Sequence, residues 1–368
     1  MKVIILCSNL EAGGAQRAAI RLGKELNERN ITTGNWFFHK KQDFFHDLPN
    51  INTILDYQIN NIFDYIKLIY RLQNQLKESK PDAIISFLHY SNIIGLTVAY
   101  FCGIKIRIAS HRNICTNDMS IIIRFIDAVC ARWNIYTSIT AVSESTKKSF
   151  KYYSKKDYNR IKVIHNGVNF IKTSLSKEEC RKQLGIPQSK ITIGNIGRLS
   201  KQKNQQLLIH TIARVPDSIL VIVGNGELKE EFEQLAKKLN VDTKVILLGE
   251  LSESEIVIFF KAIDIFAMPS LYEGLSNALI EALNAGLPII SSDVESQKDV
   301  LIRSSDKLEA GMLIPIDNQS EWVNAVLKLK DNSNLKKDYG EKSIQRGKDF
   351  SIENMVNGFI ECLNLNHK

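Results

Sequence analysis

Short apolar runs alternate with longer amphipathic stretches along the chain, and this alternation restricts the possible folds more than any other feature. The apolar runs of the first half are KVIILC, ITTGNWFF, INTIL, AIISFL, KIRIAS, SITAVS and IKVIH. After Pro187 the alternation begins again with ITIGNIG, SILVIVG, KVILLG, DIFAMPS, LPIIS and MLIPI. Short strands separated by helices are typical of βα units in mainly parallel sheets. We therefore predict an α/β fold with two doubly wound domains.

The boundary between these domains is expected near residues 170–190, where the alternation loosens apart from a short helix at SKEECRKQLG. A chain of 368 residues is also too long for one typical core. We place the N-terminal domain at residues 1–175 and the second domain at residues 176–350. Residues 351–368 are amphipathic and are expected to form a closing helix.

Composition and cysteine usage indicate a cytosolic globular protein. The chain has 44% hydrophobic and 24% charged residues, which is ordinary for a soluble domain. The six cysteines form no CxxC pair and have no matching histidine spacing, which argues against a zinc site or a disulfide framework. A reducing cytosol is therefore the expected location. The N-terminal MKVIILC lacks a basic segment and suits a first strand better than a signal peptide.

Two apolar stretches raise the question of a membrane. Residues 83–104 contain no Asp, Glu, Lys or Arg over 22 positions, but the polar segment HYSN interrupts them, so we expect a buried strand and a buried helix. Residues 119–133 carry an apolar stripe that suits either a membrane surface or packing on the first sheet. We expect packing on the sheet. The stripe consists of Ile122, Phe125, Ile126, Val129 and Trp133.

The net charge of +8 is spread unevenly. Residues 147–162 (KKSFKYYSKKDYNRIK) contain seven basic residues and one acid, interleaved with aromatic residues. Such a segment suits nucleic acid, anionic lipid headgroups, an acidic acceptor or simple exposure to solvent. Of these partners we retain an anionic surface on the inner face of the cell membrane, and we expect no nucleic acid.

The strongest functional signal lies in residues 273–288, EGLSNALIEALNAGLP. Glu273 and Glu281 stand eight positions apart, and Ser276 and Asn277 precede a helical run. The unpaired N–H groups at the start of that helix can hold a phosphate. At about 1.5 Å of rise per residue the acids would lie roughly 10 Å apart, near the span from a sugar hydroxyl past a diphosphate to a ribose. This layout predicts a nucleotide sugar as the ligand.

Two cations at another strand exit support that prediction. Arg198 and Lys203 follow the strand ITIGNIG within GRLSKQKN. Ligands of open α/β sheets bind beyond the carboxyl ends of the strands. Cations there, facing a helix N-terminus from the same sheet, suit a diphosphate whose charge must be held as the sugar leaves. The later turns GNG and GELS are expected to be structural.

The N-terminal domain offers Gly14 and His111. Gly14 ends a glycine pair after the first strand, where close backbone approach to a phosphate or sugar is expected. The third glycine of a GxGxxG fingerprint is absent, so NAD binding is poorly supported. His111 is followed by Arg112 and Asn113, and we expect an exposed polar trio with His111 as a catalytic candidate. The chain has no DxD, HExxH or paired-histidine spacing, so no metal and no cofactor are expected.

Taken together, GGAQRA, GRLSKQKN and PSLYEGLSNALIEALNAGLPIISSD resemble the family 4 glycosyltransferases, which are retaining enzymes of GT-B fold with an E-x7-E motif. The resemblance covers nearly the whole chain. The chain most resembles bacterial members that extend lipid-linked glycans for O-antigen, capsule or protein glycosylation. It implies two Rossmann-like domains facing each other across a cleft, with the last helix crossing back to the first domain. It also implies hexosyl or N-acetylhexosaminyl transfer from a nucleotide sugar, UDP-linked, to a glycan or lipid-linked acceptor.

The resemblance assigns roles to matching positions. Glu273 would contact the donor sugar, Glu281 the ribose, and Arg198 with Lys203 the diphosphate. His111 would lie near the acceptor. The donor-binding set implied by the family is Gly14, Arg198, Lys203, Gly274, Leu275, Ser276, Asn277 and Glu281.

Two departures from the family pattern affect the sugar pocket. VESQKD replaces the usual glycine-rich GGxxE-type turn, and AGMLIPI replaces an NGLLV-like segment. The competing hypotheses are a nucleotide-sugar epimerase, a double-Rossmann oxidoreductase, and a non-catalytic protein that binds glycan or nucleic acid through residues 147–162.

Overall fold

The protein is described by a computed structural model that covers residues 1–11, 13–40, 51–168 and 173–364, without the side chains of residues 117 and 118. It contains two compact units. The first comprises Met1–Gly167 and the segment that begins at Ile352, and the second comprises Val168–Ser351. The division falls between Gly167 and Val168, a few residues before the boundary expected at residue 175.

In the described part of the first unit, seven parallel strands form a sheet in the order β3-β2-β1-β4-β5-β6-β7. Its elements are β1 (Lys2–Leu10), α1 (Gly14–Glu28), β2 (Thr32–Lys40), β3 (Ile51–Leu55), α2 (Ile62–Ser79), β4 (Ala83–Phe87), α3 (Leu96–Phe101), β5 (Ile106–His111), α4 (Cys115–Asp118), α5 (Ile121–Arg132), β6 (Ser138–Ala141), α6 (Glu144–Ser149), α7 (Lys155–Asn159) and β7 (Ile161–Val163). Each apolar run singled out in this half of the sequence forms a strand.

Among the residues of the second unit that the structure describes, six parallel strands lie in the order β10-β9-β8-β11-β12-β15, with a separate antiparallel pair β13-β14. Its elements are α8 (Lys177–Gln183), β8 (Ile191–Ile196), α9 (Gln206–Ile212), β9 (Ser218–Val223), α10 (Lys229–Lys238), β10 (Val245–Gly249), α11 (Glu253–Ala262), β11 (Ile265–Met268), α12 (Asn277–Asn284), β12 (Ile289–Ser292), α13 (Glu295–Leu301), β13 (Ile302–Arg303), β14 (Leu308–Glu309), β15 (Met312–Ile314), α14 (Gln319–Asp331) and α15 (Ser333–Gly347). The predicted doubly wound fold is thus confirmed for both units.

Side chains of the first sheet alternate between two cores, as the period of a strand requires. Ile4 and Leu6 of β1 point into the core beneath α2, α3 and α5. Val3, Ile5 and Cys7 point to the opposite face, which α1 covers. Both faces of this central strand are therefore buried, as expected for a parallel sheet.

The last helix, α16 (Ile352–Asn364), belongs to the first unit, as predicted from the resemblance. Met355, Val356 and Phe359 join the same core as α1. The Phe359 ring stacks on Phe87 at 5.8 Å between centroids. Burying a side chain of this size contributes about 1.5–3 kcal/mol, so α16 is an integral part of the first core. The final four residues of the expected tail lie outside the described residues.

The charge-free stretch at residues 83–104 forms β4, a π-helical turn at Ser91–Gly95 and α3. Within the part of the chain that the structure describes, no helix is both long and apolar enough to cross a membrane. The expected strand followed by a helix is therefore confirmed.

The expectation that the apolar stripe of residues 119–133 packs on the sheet is wrong for most of its members. Ile122, Phe125 and Trp133 are exposed, whereas Asp127 and Cys130 face inward. The rotation of α5 is set by hydrogen bonds that hold the Asp127 carboxylate beneath the helix. This rotation turns the stripe away from the sheet.

Candidate active site

The second unit has a topological switch point beside β8. This strand pairs with β9 on one side and with β11 on the other. The chain leaves β8 towards β9 and β10 and later returns to β11, so the loops after β8 and β11 diverge. Open α/β sheets bind ligands in the crevice that such loops leave at the carboxyl ends of the strands.

Hydrogen bonds join these two loops directly. The Leu271 amide donates to the Gln202 carbonyl at 2.8 Å, and the Gln202 side chain donates to the Tyr272 carbonyl at 3.0 Å. The Asn204 side chain donates to the Pro269 carbonyl at 3.3 Å. Since the contacts run in both directions, the two loops form one connected rim.

An ion pair lies at the centre of this rim. Lys203 Nζ is 2.5 Å from Glu273 Oε1, with 20% and 9% of the respective side chains exposed. The lysine stem lies close to Gly197, where an added Cβ would be 3.2 Å from Lys203 Cδ. An ammonium has three N–H donors, and Glu273 uses one of them. Lys203 can therefore hold Glu273 in position and still bind an anion.

Helix α12 begins at Asn277, next to the start inferred from the sequence. Ser276 is its N-cap, and the Ser276 side chain accepts a hydrogen bond from the Leu279 amide at 3.4 Å. Gly274 and Leu275 connect Glu273 to this cap. Glu281 lies in the second turn of the helix and is half-buried. The amides of the first turn and the Glu281 carboxylate therefore belong to the same rigid element.

Arg198 is exposed at the exit of β8, and its carbonyl accepts a hydrogen bond from the Gln205 side chain at 2.9 Å. The GNG turn after β9 packs against the same loop. Gly224 has φ of +132°, and a Cβ added there would overlap the Gly197 carbonyl. A Cβ on Gly226 would overlap the Leu199 backbone. The structural role expected for GNG is thus confirmed, because both glycines allow the Arg198 loop to lie close to it.

The segment that departs from the family pattern lies in and just before α13. Asp293 and Lys298 form an ion pair at 2.8 Å. Gln297 is fully buried, and neither atom of its amide has a hydrogen-bond partner among the described residues. The buried Ser296 and Ser270 hydroxyls are likewise unpartnered within that part of the chain. The second unit therefore contains several unsatisfied polar groups close to this sheet edge.

The two candidates of the first unit occupy different settings. Gly14 is the exposed first residue of α1. His111 is the last residue of β5 and is only 2% exposed. Its ring packs against Phe150 at 4.0 Å between centroids with the planes tilted by 37°, and the buried Arg112 lies over the Phe87 ring at 4.6 Å. The expected exposed trio is therefore wrong for His111 and Arg112, because aromatic rings cover both side chains.

A buried hydrogen-bond network beneath α5 holds His111, and no pattern in the sequence indicates it. His111 Nε2 is 3.1 Å from the Tyr153 hydroxyl, which donates to Asp127 Oδ2 at 2.6 Å. Tyr152 donates to the same oxygen at 2.8 Å, and Tyr136 donates to Oδ1 at 2.9 Å. Tyr152 and Tyr153 belong to the basic segment 147–162, so these two aromatic residues serve the interior of the first unit and not its surface.

His111 also predicts a dependence of stability on pH. Burial lowers its pKa below the ordinary value of 6.5, an effect that His89 reinforces and Asp127 opposes. Below about pH 6.5 the unfolded chain therefore binds a proton that the folded chain does not. As the pH is lowered through this range, the free energy of unfolding falls by up to about 1.4 kcal/mol per pH unit. Urea unfolding between pH 7.5 and 5.5 should show a smaller loss in His111→Gln. His210→Gln should retain the dependence of the parent, and an equal loss in all three proteins would contradict the prediction.

Comparison with known proteins gives matches over nearly the whole chain. The family model "Glycosyltransferase Family 4" matches residues 12–170, and "Glycosyl transferases group 1" matches residues 176–346. One relative is a Campylobacter jejuni α-1,4-N-acetyl-D-galactosaminyltransferase, whose name gives the substrate GalNAc-α-(1→4)-GalNAc-α-(1→3)-diNAcBac-PP-undecaprenol. Its sequence is 25% identical to this one, and the alignment covers 99% of this chain and 98% of the relative. Another relative is the Escherichia coli UDP-Gal:α-D-GlcNAc-diphosphoundecaprenol α-1,3-galactosyltransferase. It is also 25% identical, and the alignment covers 73% of this chain and 72% of the relative.

The fold is also found among solved structures. The crystal structure of Anabaena HepE in complex with UDP and glucose superposes with a TM-score of 0.86 at 18% identity, covering 99% of each chain.

Proposed function

Because the chain belongs to the GT-B glycosyltransferases, with a family 4 domain followed by a group 1 domain, we propose that it transfers a sugar from a UDP-linked donor to a lipid-linked glycan. The single observation that supports the donor site best is the Lys203–Glu273 ion pair at the switch point of the second sheet. The family matches argue against an epimerase and an oxidoreductase.

The donor is bound by the connected rim and by α12. Arg198, Lys203 and the first amides of α12 hold the diphosphate, with Gly274, Leu275, Ser276 and Asn277 providing the backbone beside it. Glu273 contacts the sugar hydroxyls and Glu281 the ribose hydroxyls. Charge that develops on the leaving diphosphate is stabilised by groups that are already in place, so catalysis depends mainly on orientation and electrostatics. Within the first unit, Gly14 is the candidate for a donor phosphate contact and His111 is the candidate for the acceptor.

The mechanism needs no metal and retains the anomeric configuration of the sugar. Both properties have direct tests. Transfer should persist in EDTA, and the NMR coupling constant of the new anomeric proton should match that of the donor. Loss of transfer in EDTA that added Mg²⁺ restores, or an inverted anomer, would overturn the respective proposal.

The acceptor is a glycan linked through diphosphate to a polyprenol. Support comes from the Campylobacter and Escherichia coli relatives, whose names describe such acceptors. The product would enter a surface glycan such as an O-antigen or a capsule. A substrate of this kind requires the enzyme to work at the inner face of the cell membrane while remaining peripheral to it.

Glu281 provides the test of the donor site. Replacing Glu281 by glutamine removes a charged hydrogen-bond acceptor, a change worth about 1.5–3 kcal/mol, so UDP should bind roughly 10- to 150-fold more weakly. Isothermal titration with UDP measures the loss without any acceptor. Glu233→Gln on the exposed side of α10 serves as the matched control and should bind UDP normally. Equal UDP affinity in both variants would remove Glu281 from the site.

A further inference from the structure

The first unit has an unusually apolar outer surface on one side of its sheet. We define the apolar face by six exposed side chains, Phe63 and Ile66 on α2, Phe101 on α3, Ile122 and Phe125 on α5, and Trp133 after α5. Phe63, Phe101, Phe125 and Trp133 are 75%, 74%, 69% and 71% exposed. Single exposed apolar residues are normal, but large aromatic residues grouped on neighbouring helices indicate a binding surface.

These residues lie on the same side of the first unit. The opposite faces of their helices share one core, to which α2 contributes Leu68 and Leu72, α3 contributes Ala99, and α5 contributes Cys130 and Ala131. Helices that bury one face in a common core beneath the same sheet turn their other faces outward together. The six side chains therefore form a face of the first unit rather than scattered points.

Helix α5 is the clearest case, since its polarity is the reverse of that of an ordinary surface helix. Its inward side carries the Asp127 carboxylate, which accepts hydrogen bonds from three tyrosines. Its outward side carries Ile122 and Phe125. Exposed apolar side chains do not stabilise an isolated domain in water. A helix that lies on an apolar partner is stabilised, because the partner buries those side chains.

The surface beside α5 is basic. Arg160 at the end of α7 donates to the Ala131 carbonyl of α5 at 3.3 Å, and Tyr152 reaches Asp127, so the segment 147–162 packs directly against this helix. Lys148, Lys151, Lys155 and Lys156 of that segment are exposed, whereas its acid Asp157 is buried. An apolar face beside exposed lysines matches the boundary of an anionic bilayer, where acyl chains meet phosphate headgroups.

We propose that the apolar face docks on an anionic lipid bilayer, with Phe125 and Trp133 inserted at the headgroup boundary and the lysines of segment 147–162 on lipid phosphates. A second copy of the chain fits less well, because pairing this face with itself would bring two basic segments together. The choice of a bilayer rests partly on the lipid-linked acceptor proposed above. Docking is nevertheless measured without donor or acceptor, so its failure would leave the donor site untouched.

The experiment is sedimentation of the full chain with vesicles of phosphatidylglycerol and phosphatidylcholine, compared with vesicles of phosphatidylcholine alone. The parent should bind the anionic vesicles, and Ile122→Ser with Phe125→Ser should weaken partitioning at least tenfold, because two large apolar side chains no longer enter the lipid. Both positions are exposed, so the thermal midpoint should stay unchanged. Ile344→Ser, an exposed apolar position of α15 in the second unit, is the matched control and should partition normally.

Two further readouts separate apolar from ionic contacts. Tryptophan emission should shift to the blue on anionic vesicles, and Trp133→Phe should abolish the shift, since Trp36 packs against the first core and Trp322 is buried in the second unit. Lys148→Glu with Lys151→Glu should remove the preference for anionic vesicles. Absence of binding by the parent, or equal binding by the Ile122→Ser, Phe125→Ser variant, would overturn the proposal. A concentration-dependent dimer that this variant dissociates, without vesicle binding, would instead assign the face to self-association.

Discussion

Lys203→Met is expected to lower the turnover number for sugar transfer by about 100- to 1,000-fold. Loss of one preorganised donor to a developing charge has an effect of this size in enzymes that rely on electrostatic stabilisation. Two consequences combine here. The leaving diphosphate loses a nearby cation. Glu273 loses its ion-pair partner, since Lys203 Nζ lies 2.5 Å from Glu273 Oε1 in the parent. Initial rates with a UDP-sugar and a lipid-linked acceptor measure the change.

A matched control and a double variant separate these two consequences. Lys201 lies in the same short 3-10 helix but is exposed, so Lys201→Met should be fully active. In Lys203→Met the buried carboxylate is left unpaired, which destabilises the fold, and adding Glu273→Gln should recover that stability. The added change should not recover activity. If Lys203→Met transfers sugar at the parent rate, the proposed diphosphate site is wrong.

Asp127→Asn is expected to reduce the free energy of unfolding of the first unit by about 3 kcal/mol. The carboxylate accepts three tyrosine hydroxyls, two of them at Oδ2 and one at Oδ1. An amide has only one accepting oxygen, so at least one buried hydroxyl loses its partner, and the charged acceptor is lost as well. Urea unfolding followed by circular dichroism measures the change.

The control for Asp127 is a nearby acid with no buried network. Glu144 is exposed at the start of α6, and Glu144→Gln should change stability by less than about 0.5 kcal/mol. Tyr153→Phe removes one of the three hydroxyls and should cost less than Asp127→Asn. It should also shift the lower limb of the pH profile for transfer if His111 acts near the acceptor, because Tyr153 is the partner of its Nε2. Equal stability of Asp127→Asn and the parent would show that the network is dispensable.

Most strands were predictable because each is a short apolar run bounded by turn residues. The short strands β13 and β14 were missed, since two residues each give no periodic signal. The rotation of α5 is not predictable from its own sequence either. Its outward stripe is more apolar than its inward one, and only contacts with residues far along the chain reveal that Asp127 is the buried member.

The candidate site shows the same limit. Glu273 and Glu281 could be recognised together because a loop and a helix start relate them locally. Lys203 and Glu273 are 70 positions apart, and their direct contact follows from the adjacency of β8 and β11. The sequence indicated that both residues serve the donor. It could not indicate that each holds the other, or that His111 is buried.

The place of α16 has a consequence for synthesis. The second unit has all its residues once Ser351 has been made, whereas the first core still lacks Met355, Val356 and Phe359 at that stage. Domains generally fold as units while the chain emerges, the N-terminal one first. Here the later unit is complete earlier, so the first unit keeps an open hydrophobic groove until α16 leaves the ribosome. A chain truncated after Ser351 would therefore keep a foldable second unit and leave the first one unfinished.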